Sequence, residues 1–250
     1  MRYIKKISWR LREMISESVS HFGITLKLKT RDYNLNRENY VVSSNKGTMG
    51  KNRSYIQALK DNNQKIIDSY SKIYADKEGL IYKEEWCKKQ TANALINYDL
   101  NMDFFKKLSI SKFDDELTKF LTTTEFFEIT DLSKFSCSGY YAMVLGEYCQ
   151  IYIGTSNNIC RRIKQHWSGG KMKLDRLICG HVDKSKLSID SFRALDTTRI
   201  FVYPTENLYN MENKYIAGFS DEFICNRLNG GLMKFGEIEV AANVKFREFE

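Results

Sequence analysis

Hydrophobic positions change period along this chain, and each change marks an element. Ile4, Ile7, Leu11, Met14, Ile15 and Val19 recur at helical spacing with Lys and Arg between them. That pattern predicts a basic amphipathic helix over 3–19, and a core-packing helix with solvated charges is preferred to one lying on DNA, a partner or a membrane surface. Ile24–Thr30 alternates like a strand. Helical periods return near 55–75, 83–98 and 112–122. Residues 139–145 (Gly-Tyr-Tyr-Ala-Met-Val-Leu) and 148–154 (Tyr-Cys-Gln-Ile-Tyr-Ile-Gly) are rich in aromatic and β-branched side chains. Gly146-Glu147 between them reads as a two-residue hairpin connection. Pairing Leu145 with Tyr148 sets Tyr141 directly opposite Tyr152, two phenols on one face with Cβ atoms roughly 5 Å apart.

Beyond the hairpin, Ser156 is placed to cap a helix on which Ile159, Ile163 and Trp167 form an i, i+4, i+8 stripe. Leu187–Asp196 and Arg199–Tyr203 read as strands completing a small sheet. Over 205–219, Leu208, Met211, Tyr215, Ile216 and Phe219 span one helical arc. The stretch 43–54 is polar, basic and Gly-containing, a loop or joint. Together these elements predict an α+β fold. A small mixed or antiparallel three-stranded sheet flanked by helices occupies 126–250, and a mostly helical region occupies 1–125.

Composition narrows the partners. The chain has 250 residues, 42% of them hydrophobic, a single proline and a net charge of +8. The charge is concentrated: 155–186 carries eight Lys/Arg against Asp175 and Asp183, and 1–30 carries seven against Glu13 and Glu17. Such patches suit a polyanion bound with salt-sensitive affinity. None of the six cysteines forms a Cys-x-x-Cys pair, so they read as reduced thiols in a cytoplasmic protein without a zinc site. His21 and His181 have no metal-ligand spacing, and no apolar run reaches membrane length.

The candidate chemistry is carried by a few residues. Arg162 and His166 are i, i+4 and share one helix flank, where an arginine fork can grip a phosphate and a histidine can move a proton. Arg161 and Lys164 on the same helix, with Lys171 and Lys173 beyond it, add positive charge for a nucleic-acid backbone. Glu212 falls in the middle of the apolar arc of 205–219, where a carboxylate is costly unless it meets a cation or a metal; a structural ion pair with an arginine is the equal alternative. Asn226 follows in a turn-rich stretch. Asp196-Thr197-Thr198-Arg199 reads as an Asp–Arg ion pair with Thr caps at a strand break.

Gly139-Tyr140-Tyr141 and Tyr152-Ile153-Gly154, then Arg162 and His166, then Glu212 and Asn226, resemble in order and spacing the GIY-YIG nuclease family, over roughly residues 135–231. The first tripeptide differs from the family pattern by Tyr140 in its middle position. The resemblance implies a metal-dependent endonuclease that hydrolyses DNA phosphodiesters by in-line attack of water, leaving a 5′-phosphate. By the same resemblance Tyr141 is the general base, Tyr152 supports it, Arg162 stabilises phosphate charge and His166 transfers protons. Glu212 would hold one Mg2+ or Mn2+, and Asn226 would steady the site. A region such as 1–125 would recognise the target. Two rivals remain open on sequence: a non-catalytic nucleic-acid-binding protein that retains the fold, and a nuclease acting on RNA or branched junctions.

Overall fold

The computed structural model describes residues 18–27, 34–40, 53–167, 186–208 and 210–226. The helix expected over 3–19 lies outside these residues except at its end, where Ser18 and Val19 belong to a strand. Strands β1 (Ser18–His21) and β2 (Ile24–Lys27) pair antiparallel. Both turn residues between them, Phe22 and Gly23, have positive φ (47° and 71°), the tight geometry that matches strand twist.

Helices α1 (Arg37–Tyr40), α2 (Arg53–Lys60), α3 (Gln64–Ser71), α4 (Glu84–Lys107) and α5 (Ile110–Thr123) follow. Their ends obey local rules. Ser109 caps α5 through the Lys112 amide, and α4 opens on Glu84 and Glu85 and closes on Lys106 and Lys107, complementing its dipole. On α5, Phe113, Leu117 and Phe120 are the buried stripe, each burial contributing about 1.5–3 kcal/mol. Helices α2 and α3 close a satellite core of Tyr55, Tyr74, Tyr82 and Cys87.

The main sheet has four strands where three are expected. Strands β3 (Phe127–Ile129), β4 (Gly139–Leu145), β5 (Gln150–Ser156) and β6 (Arg199–Pro204) lie in the order β3-β6-β4-β5, every pair antiparallel. The additional strand β3 is short and runs beside β6, where Arg199 reaches Glu128 at 2.7 Å.

Alternation along β4 divides the interior. Tyr141, Met143 and Leu145 point into a core with Ile159, Ile163, Trp167, Leu187, Phe192, Phe105 and Tyr40. Tyr140, Ala142 and Val144 point the other way, to Phe113, Phe120, Tyr215, Phe219 and Phe223. Residues on both sides of position 125 thus build both cores.

Three local expectations are corrected. The hairpin connection spans four residues: a 3₁₀ turn at Gly146–Tyr148 and Cys149 in the left-handed region (φ 47°). Moving the turn centre by one residue shifts the register by two, so Tyr141 pairs with Gly154, and Tyr152 pairs with Met143. The segment 187–196 is no strand. It folds into 3₁₀ turns at Ile189–Ser191 and Ala194–Asp196, with Ile189, Phe192 and Ala194 buried. Within it Asp196 accepts hydrogen bonds from the Leu35 and Arg193 amides and the Tyr148 hydroxyl, and the Arg199 partner is Glu128 instead. Finally, α7 is only Glu212–Ile216. In the preceding loop the Asn207 amide donates to Thr205 Oγ1 and the Asn210 side chain to Asn207 Oδ1, and the Tyr140 hydroxyl spans Asn207 O and Met211 N. Polar side chains that bond locally compete with helix.

Candidate active site

Two glycines shape the hairpin around Tyr141. A Cβ at Gly139 would collide with the Tyr203 carbonyl and come within 2.8 Å of the Pro204 Cα, so β4 and β6 approach there only without a side chain. A Cβ at Gly154 would stand 2.5 Å from the Tyr141 hydroxyl and 2.7 Å from its Cζ. Gly154 is the cross-strand neighbour of Tyr141, and the phenol lies over the space that a side chain there would fill. Tyr152, two residues away on the same strand face, brings its ring centroid to 6.1 Å from that of Tyr141. The expected meeting of the two tyrosines is therefore diagonal rather than direct.

Helix α6 (Ile159–Trp167) supplies the next groups. Its cap is Asn158, whose side chain accepts from the Arg161 amide at 2.8 Å; Ser156 instead bonds to the Asn158 amide. Ile159, Ile163 and Trp167 are buried as the stripe predicts. That anchoring turns His166 inward, where its Nε2 lies 2.9 Å from the fully buried Tyr141 hydroxyl. His166 also stands edge-on to Tyr152, with centroids 5.0 Å apart. Arg162, one turn earlier, is exposed, and so are Arg161 and Lys164. Lys171 and Lys173 lie outside the described residues.

Electrostatics tie these groups together. Burial pushes the Tyr141 hydroxyl well above its usual range; nearby Tyr152 adds to this, and the Arg162 guanidinium opposes it. Burial also raises Tyr152 to about 12, with Arg162 lowering and the Glu212 carboxylate raising it. For Arg162, partial desolvation of an otherwise exposed side chain opposes the charge, and the two phenols and Asp190 outweigh that cost and strengthen it. Both phenols are consequently protonated at neutral pH.

Glu212 is the first residue of α7 and is 8% exposed. Its carboxylate lies within electrostatic reach of Tyr152, while Tyr215 and Ile216 of the same helix pack in the cluster of Tyr140 on the other face of the sheet. Among the described residues no three or more His, Cys, Asp or Glu side chains cluster as a metal site.

Asn226 has a different position from the other candidates. Strand β5 is the sheet's outer strand, and residues 223–225 run beside it: the Ile151 amide donates to Phe223 O and the Cys225 amide to Ile151 O. Asn226 continues this ladder with its side chain, accepting from the Ile153 amide at 3.0 Å and donating to the Ile153 carbonyl at 2.7 Å. It thereby fixes the strand between Tyr152 and Gly154. Asn226→Ala orphans a buried donor and a buried acceptor together, an expected loss of about 2–4 kcal/mol from unpaired groups of this kind. Chemical denaturation of parent and variant measures it, and a loss under about 1 kcal/mol contradicts the clamp.

Sequence reasoning passed over Asp190. Its Oδ1 lies 2.7 Å from His166 Nδ1. As part of an alternating strand, Asp190 falls on the face opposite Leu187 and Ile189; the 3₁₀ turn is what swings it toward His166.

Scanned against known protein families, curated proteins and solved structures, the chain matches none of them. What it does rests on the geometry above.

Proposed function

We propose that this protein is a metal-dependent endonuclease hydrolysing phosphodiesters in DNA, with the chemistry of the GIY-YIG type that its motifs resemble. The observation that supports this most is the Tyr141 hydroxyl, buried at 2.9 Å from His166 Nε2 and within the electrostatic reach of Tyr152 and Arg162. A purely structural tyrosine needs no such set. A phenol that must deprotonate a water, yet is itself protonated at neutral pH, needs an acceptor for its own proton. His166 Nε2 is that acceptor.

The steps follow from these positions. Water attacks phosphorus in line; its proton passes to the Tyr141 oxygen as the Tyr141 proton passes to His166. Arg162 donates to the phosphate oxygens on which charge accumulates. The 3′-oxygen leaves and takes a proton from solvent, so the product carries a 5′-phosphate. Tyr152 packs beside the acceptor histidine and keeps the Tyr141 ring in place.

Glu212 fits one hard divalent cation: it is a nearly buried carboxylate, the hard oxygen donor such an ion takes, and water and phosphate oxygens are the usual further ligands of Mg2+. Mg2+ or Mn2+ held there would offset charge on the phosphate and the leaving oxygen. Arg161 and Lys164, exposed beside Arg162, would contact the backbone of the nucleic acid.

Incubating the protein with supercoiled plasmid and Mg2+ at low salt tests the reading, with linear, branched and RNA substrates in parallel. Nicking or linearisation that EDTA abolishes is expected, falling as salt rises. Binding without cleavage of any substrate would favour the non-catalytic alternative, and cleavage of RNA alone would change the substrate class.

No described helix is long and apolar enough to cross a membrane.

A further inference from the structure

We propose that Asp190 is a positioning residue for this site: it fixes the ring and tautomer of His166 so that Nε2 presents a lone pair to Tyr141. The catalytic consequence rests on the nuclease reading; the positioning itself does not.

An ionised carboxylate can only accept a hydrogen bond. With Asp190 Oδ1 at 2.7 Å from Nδ1, the neutral His166 ring carries its proton on Nδ1. Nε2 is then an acceptor, and at 2.9 Å it faces a hydroxyl that has a proton to give. In the opposite tautomer the Asp190 contact fails, because Nδ1 would turn a lone pair to a carboxylate, and the Tyr141 hydroxyl would be left accepting from Nε2–H rather than donating to it. The His166 side chain is 3% exposed, so the ring cannot turn away without repacking, whereas Asp190 is 38% exposed and stays hydrated. A carboxylate at the rim with an imidazole inside is an arrangement that stabilises the imidazolium formed when Tyr141 gives up its proton.

The turn that carries Asp190 is built to hold still. Ile189 and Phe192 on either side are buried, and the Ser191 amide donates to Ser188 O at 2.8 Å. Arg193, itself buried, donates to the Ser191 carbonyl at 2.8 Å and also binds the Asn39 carbonyl. Among the described residues Tyr141 from β4, Tyr152 from β5 and Asp190 from this turn face His166, and Arg162, one turn back on its own helix, acts on the same three groups.

Two readouts test this on the full chain. The chain has three histidines, so the 15N signals of histidine-labelled protein can be assigned by the loss of one in His166→Gln. In the parent, His166 is expected as the Nδ1–H tautomer, and in Asp190→Asn as Nε2–H or a mixture. In plasmid nicking, Asp190→Asn should lower kcat by about 10²-fold with KM little changed, since proton transfer of this kind is worth about 10²–10⁴-fold. Asp190→Ala should regain part of its kcat with added formate, which a merely structural carboxylate would not show. The same tautomer in parent and Asp190→Asn, or an unchanged kcat, overturns the proposal. If the parent cleaves no substrate, the nuclease reading falls, and the tautomer comparison still decides the role of Asp190.

Discussion

Glu212→Gln is expected to lower Mg2+-dependent nicking of supercoiled plasmid by at least about 10³-fold, the largest effect of any single change in this protein. A bound divalent ion contributes several kcal/mol of charge stabilisation at a phosphoryl centre, and about 4 kcal/mol corresponds to that factor. Glutamine keeps the shape of the buried side chain and removes only the charge. The variant should therefore keep its fold, melting within a few degrees of the parent. Its Mn2+ affinity, read by titration with the paramagnetic ion, should fall together with activity. A variant that binds the ion and cleaves like the parent removes Glu212 from the site. Loss of activity with normal ion binding would leave the carboxylate a role on Tyr152 alone, whose acidity it already influences.

The second large effect is expected at Tyr141→Phe, with a fall in kcat of about 10²–10⁴-fold. Phenylalanine fills the same place over Gly154 and against the core of Met143, Ile159 and Ile163. What disappears is one oxygen, and with it a group that both faces His166 Nε2 at 2.9 Å and lies within reach of Arg162. The stability cost should be modest, about 1–2 kcal/mol, because the ring volume is kept and His166 keeps Asp190 when the phenol's hydrogen bonds are lost. Substrate binding, followed by gel shift in Ca2+, should be nearly unchanged. Unfolding of the variant, or activity close to that of the parent, would each contradict a catalytic hydroxyl. Because burial raises its pKa, Tyr141 acts only if its proton has somewhere to go, so Tyr141 and His166 should be strongly non-additive. A Tyr141→Phe, His166→Gln double variant is expected to be about as slow as Tyr141→Phe alone.

How much of this could be read from the chain depended on the range of the interaction. The hairpin, the stripe of Ile159, Ile163 and Trp167 and the helices near 83–98 and 112–122 follow from local periodicity, and they appear in the structure. Arg162 and His166 stand on one helix, so their common flank is set by 3.6 residues per turn. Glu212 was marked by its own anomaly, an acid among apolar residues, and it is buried even though the helix around it is far shorter than its pattern suggests. Local reasoning misjudged the turn at 146–149, because a left-handed Cys149 is not signalled by residue type, and the register moved with it.

The rest was decided by tertiary contact. Arg193 and Asp196 reach back more than 150 residues, to Asn39 and Leu35. Those bonds shape the turns at 189–196 and bring Asp190 to His166, a partnership between residues 24 positions apart that no period contains. Asn226 was found as a residue but not as a clamp, since its bonds to Ile153 cross 73 positions. The sequence by itself determined which side chains share a face and which acid has no business in an apolar arc, because these depend on spacing within one element. Only the tertiary structure decided that Tyr141 is buried and protonated, that Gly154 makes room for it and that Asp190 stands behind its acceptor. Burial, desolvation and hydrogen-bond partners arise where elements meet, and the meeting is fixed by the sum of the packing rather than by any one stretch of chain.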